Sequence, residues 1–360
     1  VAQASIRSFR VMHGASLYFL LLAAVLAQQP QGDVPKVTIV TVRTDGLPWV
    51  QSVGHFPQEV VNIGLGQKWE QDGTKVKLLS EWASTRPRDE LVAFLDGDVF
   101  WGGCSMQEFV RAYYHIRTQS GKNLVFGGEI TCWEQDCRAV PEVPAWANAP
   151  ADMWRTFQRC QGFWTDKCAH FRNCAQCSNP PAIKFLNSGF LMGPAGDIAR
   201  VTRQCWTSYK RYTTTGGDQS VYAKYWLEVP QLITLDYATQ LVISLHDLDA
   251  SILEVDSITG KAKNMAFNRT QCFIHPNGGG KALGRKIITE MGVNPDNITS
   301  PGFSMLLDKS PAARVMRKAK GSSLQTEAGL AEKTDGLETL RAQLSRARTR
   351  EQAKHLWWGT

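Results

Sequence analysis

The stretch VAFLDGDVFWGG, residues 92–103, decides the fold class because it places two carboxylates directly after a hydrophobic run. Residues 91–96, LVAFLD, have the short apolar pattern that is typical of a buried strand. Asp96 and Asp98 stand close together, so each resists ionisation unless a cation lies between them. A hard divalent cation with oxygen ligands, Mn²⁺ or Mg²⁺, resolves that repulsion. The stretch therefore predicts a strand that ends in a metal site, with a pair of aspartates spaced this way by chance as the alternative.

Strand-like and helix-like segments alternate on both sides of this stretch. Strands are predicted at 36–44, 59–66, 91–96, 123–129, 184–194, 230–236 and 239–245, and helices at 75–84, 104–119, 197–212 and 216–228. The alternation predicts an α/β fold in which helices flank a mostly parallel sheet. Ligands of open α/β sheets bind beyond the carboxyl ends of the strands. Asp96 and Asp98 are therefore expected to face a ligand crevice.

The composition indicates a folded chain whose charge is unevenly spread. The sequence is 43% hydrophobic and 10% aromatic, which is enough for a packed core, and its net charge is +7. Residues 310–360 hold ten Lys and Arg against five Asp and Glu, so most of the excess lies in this tail. A nucleic-acid binder usually carries its basic face on the folded body. No nucleic-acid partner is expected, and the tail is interpreted as helical or disordered.

The first 27 residues have the layout of a secretory signal. The apolar run 17–27, LYFLLLAAVLA, follows Arg7 and Arg10 and ends in small residues. The run is short for a membrane span of about 20 residues, although a signal-anchor stays open. Two N-glycosylation sequons, at Asn268 and Asn297, agree with that route. We expect the lumen of the endoplasmic reticulum or Golgi, or secretion, with membrane contact only through an N-terminal anchor.

Nine cysteines suggest an oxidising compartment, and six of them lie between Cys132 and Cys177. Residues 137–182 interrupt the α/β pattern and are interpreted as a Cys-rich insertion held by disulfides. A zinc site built on the CAQC pair is the alternative. Because nine is odd, at least one thiol stays unpaired within the chain. The candidates in core-like segments are Cys104, Cys205 and Cys272.

A second cluster of polar residues follows a later apolar strand, in FIHPNGGGK at 273–281. His275 is the candidate third metal ligand, and the Gly-rich loop ending in Lys281 offers backbone N–H groups and a cation to a diphosphate. Metal and diphosphate together suggest a nucleotide-sugar. A structural histidine and a simple turn are the alternatives, and the loop lacks the spacing of a P-loop.

Seven blocks in order give the chain a family resemblance. They are VTVRT (40–44), NIGLGQKWEQDG with TKVKLL (62–79), FLDGDVFWGG (94–103), GGEITCWEQ (127–135), FLNSGFLMG (185–193), GGDQSVY (216–222) and IHPNGGGK (274–281). These blocks resemble the glycosyltransferase domain of the procollagen lysyl hydroxylases and of related collagen-type glycosyltransferases. The resemblance runs from about residue 36 to residue 284.

The resemblance implies a GT-A fold, a UDP-sugar donor and Mn²⁺ (or Mg²⁺) as the cofactor. By position in the motifs, Asp96, Asp98 and His275 would hold the metal, with Asp96 also facing the donor. On the nucleotide side, the resemblance places Thr44 and Lys75 near the nucleotide and Asn277, Gly278 and Lys281 near the diphosphate. On the sugar side, it places Asn187 and Ser188 in the sugar pocket and Trp133 in a loop over the sugar. Asp218 would face the donor sugar or the acceptor. Asp218 as a helix cap and Trp133 as a core residue are the alternatives.

The chain departs from the family pattern at several places. One residue, Gly97, separates the two aspartates, whereas two residues separate them in the family pattern. The family's Asp-rich run is reduced here to Gly216-Gly217-Asp218. The Cys-rich insertion has no counterpart that matches, and no dioxygenase domain is expected after this one. Lysyl hydroxylation is therefore not inherited.

The sequence thus predicts a glycosyltransferase domain at 28–308, after a signal peptide or signal-anchor at 1–27 and before a basic tail at 309–360. The predicted reaction moves a sugar, glucose or galactose, from a UDP-sugar to a hydroxyl on a protein or glycan, with a hydroxylysine-type acceptor as the specific expectation. The alternative is a GT-A-like binding module of the secretory pathway without catalysis. The oligomeric state is not indicated.

Overall fold

The computed structural model describes residues 35–53, 55–132, 139–149, 182–211, 217–295 and 298. The signal segment 1–27 and the basic tail 309–360 lie outside them. Most of the Cys-rich insertion 137–182 lies outside them as well, as does the sequon at Asn297. The expectations for those segments stay predictions.

The main sheet has six strands in the order β2-β1-β3-β6-β5-β7. Their bounds are β1 Val37–Val42, β2 Val60–Asn62, β3 Leu91–Asp96, β5 Leu124–Glu129, β6 Phe185–Pro194 and β7 Ile233–Leu235. Five strands run parallel to one another, and β6 runs antiparallel to both of its neighbours. The prediction of an α/β fold with a mostly parallel sheet is therefore confirmed, except that a reversed strand lies in the middle.

The reversed direction of β6 follows from where the chain re-enters the sheet. The backbone N–H of Lys184 donates to the carbonyl of Glu129, which is the last residue of β5. Strand β6 therefore begins at the edge where β5 ends and must run back beside it. Its register against β5 shifts between Phe126 and Gly127. Such bulges re-aim side chains, often beside functional sites.

Helices cover both faces of the sheet, which explains why its strands are almost continuously apolar. On β3, Val92 and Phe94 face one side and Ala93 and Leu95 the other. Helices α2 (Gly73–Ala83), α4 (Ala195–Arg211) and α5 (Asp218–Glu228) pack on the first side. Helix α3 (Met106–Ser120) packs on the second side, and it begins with a capping box of Ser105 and Glu108.

A smaller sheet adjoins the carboxyl end of β3 and carries the second half of the candidate site. Its strands are β4 (Phe100–Trp101), β12 (Phe273–His275) and β8 (Val242–Ser244), in that order. Short helices α1 (Trp49–Ser52) and α6 (Lys281–Glu290) pack against it. A third sheet contains β9 (Leu253–Val255), β10 (Ala262–Asn264) and β11 (Arg269–Thr270).

A disulfide joins Cys104 to Cys272 across 168 residues of chain. Two of the three candidates for an unpaired thiol were therefore wrong, because β4 and β12 pair antiparallel and bring these two cysteines together. Cys205, the third candidate, is a free and buried thiol. The disulfide ties the residue that precedes β12 to the segment after β4. It also restricts the unfolded chain over a long loop.

Among the described residues, no helix combines the length and the apolar character that a membrane span requires.

Candidate metal and donor site

The candidate site lies where the carboxyl ends of β3 and β5 meet the end of β12. Strand β3 ends at Asp96, and a tight turn closed by the Val99 N–H to Asp96 carbonyl hydrogen bond presents Asp98. Strand β12 ends at His275. Three separate stretches of sequence thus converge at one edge, as open α/β sheets are expected to place their ligand sites.

Asp96, Asp98 and His275 form the core of this site. Their nearest ligand atoms all lie within 4.8 Å of one another. The Nε2 atom of His275 is 3.5 Å from Asp98 Oδ1 and 3.9 Å from Asp96 Oδ2. The imidazole is buried, while both carboxylates are partly exposed. The three side chains therefore face one another from the end of β3, the turn that follows it and the end of β12.

These residues fit a divalent cation. Ligand distances of about 2.0–2.6 Å allow two donors of one ion to stand up to about 5 Å apart, which covers this spacing. Two carboxylates suit Mn²⁺ or Mg²⁺, and the imidazole favours the transition ion Mn²⁺ of the two. Asp96, Asp98 and His275 could thus hold a metal ion, and their partial exposure leaves room for further ligands.

The charges around the site shift the pKa values of two of its three candidate ligands in opposite directions. Burial by itself would raise the pKa of Asp98, but His275 and Lys281 outweigh burial and hold that pKa well below its usual range. Burial would also lower the pKa of His275, and Asp98 and Asp96 outweigh it and raise that pKa. Asp98 is therefore ionised at neutral pH. A metal ion would take the place of a proton on the imidazole.

Lys75 connects the metal-site carboxylates to Asp218. Its Nζ atom lies 2.9 and 3.1 Å from the two oxygens of Asp96 and 3.0 Å from Asp218 Oδ2. Burial would lower the pKa of Lys75, but the charges of Asp218 and Asp96 outweigh burial and raise it. Asp218 does not cap its helix, because Gly217 is the N-cap residue of α5. The capping alternative for Asp218 was therefore wrong.

Lys281 and the Gly-rich loop border the other side of the metal-site residues. Lys281 Nζ is 3.3 Å from Asp98 Oδ2, and Lys281 begins helix α6. Gly278 has a positive φ of 47°, and a Cβ there would lie 2.5 Å from His246 Nδ1. The loop can take its course only with glycine at that position.

A buried polar network that the sequence analysis missed lies behind the metal-site residues. Glu129 accepts hydrogen bonds from the amides of Gln219 (2.5 Å), Asn277 (2.7 Å) and Asn187 (3.3 Å). Burial raises the pKa of Glu129 to about 7, and these hydrogen bonds oppose the rise. Glu129 ends an apolar strand in the same way as Asp96, which is the signal that could have singled it out. Gln219 carries no comparable signal.

Arg43 is a second residue that the sequence analysis missed. It is 7% exposed and follows β1. Its guanidinium donates to the carbonyls of Gly97 (3.1 Å) and Asp45 (2.6 Å). Gly97 separates the two metal-site aspartates, so Arg43 fixes the turn that presents them.

Of the remaining predicted site residues, Ser188 and Asn277 contact the polar network around Glu129, and Thr44 and Trp133 are not placed there. The backbone N–H of Ser188 donates to Gln219 at 3.4 Å, and the side chain of Asn277 joins Glu129 to the backbone N–H of His246. Thr44 lies half-buried in the bend after β1, outside the hydrogen-bonded network of the described residues. Trp133 lies outside the described residues.

Comparison with known proteins gives distant structural neighbours. No family model and no curated protein matches the sequence. One similar solved structure is a glycosyltransferase involved in glycosylation of the major capsid of PBCV-1, with 10% identity and a TM-score of 0.41, over 70% of this chain and 98% of that one. Another is mouse xyloside xylosyltransferase 1 in its apo form, with 13% identity and a TM-score of 0.28, over 57% of this chain and 64% of that one. The activity of this chain has to be argued from its own residues.

Proposed function

We propose that this chain is a metal-dependent glycosyltransferase of the GT-A type, which moves a sugar from a UDP-sugar to a hydroxyl on a protein or glycan. The observation that carries the proposal is the meeting of Asp96, Asp98 and His275 within 4.8 Å at the strand ends. Lys281 and a Gly-rich loop lie directly beside them. Such a set suits a diphosphate that is bound through a metal.

Asp96, Asp98 and His275 would hold Mn²⁺ or Mg²⁺. A metal ion in this place supplies Lewis-acid stabilisation of the negative charge on the departing diphosphate. Lys281 adds a positive charge at the same place, and electrostatic stabilisation is strongest where charge develops. The N–H groups of Gly279 and Gly280 already donate to His246 Nδ1 and to the carbonyl of Asn277, so Lys281 is the donor that this loop offers to the diphosphate. Asn277 orients this loop through its contact with the backbone of His246.

The sugar would lie toward Asp218 and the first residues of β6, which include Asn187 and Ser188. Asp218 is buried and paired with Lys75, and its carboxylate can orient an acceptor hydroxyl or stabilise positive charge on the sugar ring. Asn187 and Ser188 would line the sugar pocket, with Trp133 over it and Thr44 near the nucleotide. Glucose or galactose as the sugar, a hydroxylysine-type acceptor and a place in the secretory pathway belong to the same proposal.

The test is UDP release by the purified full chain. UDP-glucose and UDP-galactose are supplied in turn, with Mn²⁺, with EDTA, and with EDTA followed by excess Mn²⁺. We expect slow donor hydrolysis that needs the metal and returns when Mn²⁺ is restored, because water can replace an unknown acceptor. Binding of UDP that needs Mn²⁺, without turnover of either UDP-sugar, would favour the binding module. Absence of both turnover and binding would contradict the proposal.

A further inference from the structure

The buried side chain of Asn187 links the polar network behind the site to the imidazole of His275. Its Nδ2 group faces Glu129 Oε2 at 3.3 Å and Gln219 Oε1 at 3.4 Å. Its Oδ1 atom faces His275 Nδ1 at 2.9 Å. Asn187 is 2% exposed and His275 is 4% exposed, so the packed interior fixes this contact.

Two independent contacts fix which end of the Asn187 amide points at His275. Glu129 Oε2 and Gln219 Oε1 are acceptors, so the atom that faces them must be the NH₂ group. The backbone N–H of Gly189 donates to the other end at 3.0 Å, so that end must be the oxygen. Reversing the amide would place its NH₂ group against the N–H of Gly189 and its oxygen against the oxygens of Glu129 and Gln219. An oxygen 2.9 Å from His275 Nδ1 requires a proton on Nδ1.

We propose that Asn187, held by Glu129 and Gln219, is a positioning residue that keeps the proton of His275 on Nδ1 and leaves the Nε2 lone pair to the metal. The Nε2 atom is the one that faces Asp98 and Asp96. This inference rests on the proposed metal site, and it assigns Glu129 and Gln219 a role in metal affinity. Partners of this kind fix the ring orientation and the basicity of a ligating imidazole.

His246 provides a contrast within the same protein. The backbone N–H of Gly279 donates to its Nδ1 atom at 2.6 Å, so this nitrogen carries no proton. The proton of neutral His246 therefore lies on Nε2, which is 3.4 Å from Asp247 Oδ2. Two buried histidines close to one loop are thus expected in opposite tautomers.

The direct test is a two-bond ¹H–¹⁵N spectrum of metal-free, histidine-labelled full chain. The spectrum is followed through the imidazole titration, and the tautomers are read at its alkaline end. A His275→Gln variant and a His246→Gln variant assign the signals. We expect His275 in the Nδ1–H form and His246 in the Nε2–H form. An Nε2–H form of His275 would overturn the proposal. The tautomer is read on the chain with Asn187, Glu129 and Gln219 unchanged, so the result does not depend on whether a variant of these residues folds.

Two substitutions of Asn187 separate positioning from general stability. Asn187→Leu keeps the volume and removes the acceptor, so we expect the Nδ1–H preference to be lost and the Kd for Mn²⁺, measured by electron paramagnetic resonance, to rise about 10- to 100-fold. Asn187→Asp keeps an oxygen that accepts from Nδ1. We therefore expect this variant to keep the Nδ1–H tautomer and to bind Mn²⁺ more tightly than Asn187→Leu does. An unchanged Kd in Asn187→Leu, or equal losses in both variants, would overturn the proposal.

These measurements use no sugar donor, so a lack of transferase activity would leave them untouched. If His275 is in the Nδ1–H form but the chain does not bind Mn²⁺, the proposed function is contradicted and the tautomer assignment stands.

Discussion

Asp98→Asn is expected to lower metal-dependent UDP release by about a thousandfold. The loss of a residue that only supports a metal ligand lowers affinity or activity by about 10- to 100-fold, and the loss of a charged ligand should exceed that. Asparagine has the shape of aspartate but not its charge, so the negative charge that lies 3.3 Å from Lys281 and 3.5 Å from His275 is lost. The measurement is UDP release at saturating Mn²⁺, together with the Kd for Mn²⁺.

Asp89→Asn is the matched control for this substitution. Asp89 is exposed and precedes β3 at its amino end, whereas Asp98 follows the same strand at its carboxyl end. The six residues of β3 separate the two ends by about 20 Å. The control removes the same charge and should leave turnover unchanged. Equal turnover in Asp98→Asn and Asp89→Asn would contradict the role of Asp98.

Gly189→Ala is expected to displace His275 from the metal site. A Cβ at this position would lie 2.5 Å from Nδ1 and 2.8 Å from Nε2 of His275, distances that real Cβ atoms essentially never show. The ring cannot move aside freely because it is buried and hydrogen-bonded to Asn187. We expect the Kd for Mn²⁺ to rise at least about tenfold. Overpacking of this kind lowers the free energy of unfolding by about 1–3 kcal/mol.

Gly66→Ala separates the effect on metal binding from a general loss of stability. A Cβ at Gly66 meets nothing within 4 Å, and its φ of 75° makes alanine strained there. Urea unfolding should therefore show a loss of about 1 kcal/mol without a change in the Kd for Mn²⁺. An unchanged Kd in Gly189→Ala would show that His275 is not a ligand in this position.

The local signals in the sequence were sufficient for most of the architecture. The apolar run LVAFLD became β3 with the predicted bounds, and the segments around it became strands and helices in the predicted order. The direction of β6 could not be predicted, because a strand has the same apolar pattern in either direction. In the structure β6 begins opposite the end of β5, where Phe185 is paired with Glu129, a contact between segments far apart in the chain.

The candidate metal ligands could be found from the sequence because each follows an apolar strand. Asp96 ends β3 and His275 ends β12, and strand ends in an α/β fold gather at one edge. The network behind them could not be predicted, because Gln219 reaches Glu129 only through the packing of α5 against β6. Local patterns carry no information on such contacts between distant segments.

The cysteines show the same limit. Cys104 and Cys272 both lie in core-like segments, and the sequence therefore suggested unpaired thiols. Their bond depends on the antiparallel pairing of two short strands, Phe100–Trp101 and Phe273–His275. Strands of two and three residues are too short to be paired with one another from pattern alone.

The most direct test of the central claim is the calorimetric titration of UDP into the full chain with Mn²⁺ and, separately, with EDTA. If Asp96, Asp98 and His275 hold a metal that binds the diphosphate, UDP must bind at least about tenfold more tightly with Mn²⁺, and UDP must tighten Mn²⁺ binding by the same factor. Equal UDP affinity with Mn²⁺ and with EDTA, or no UDP binding in either, would contradict the account.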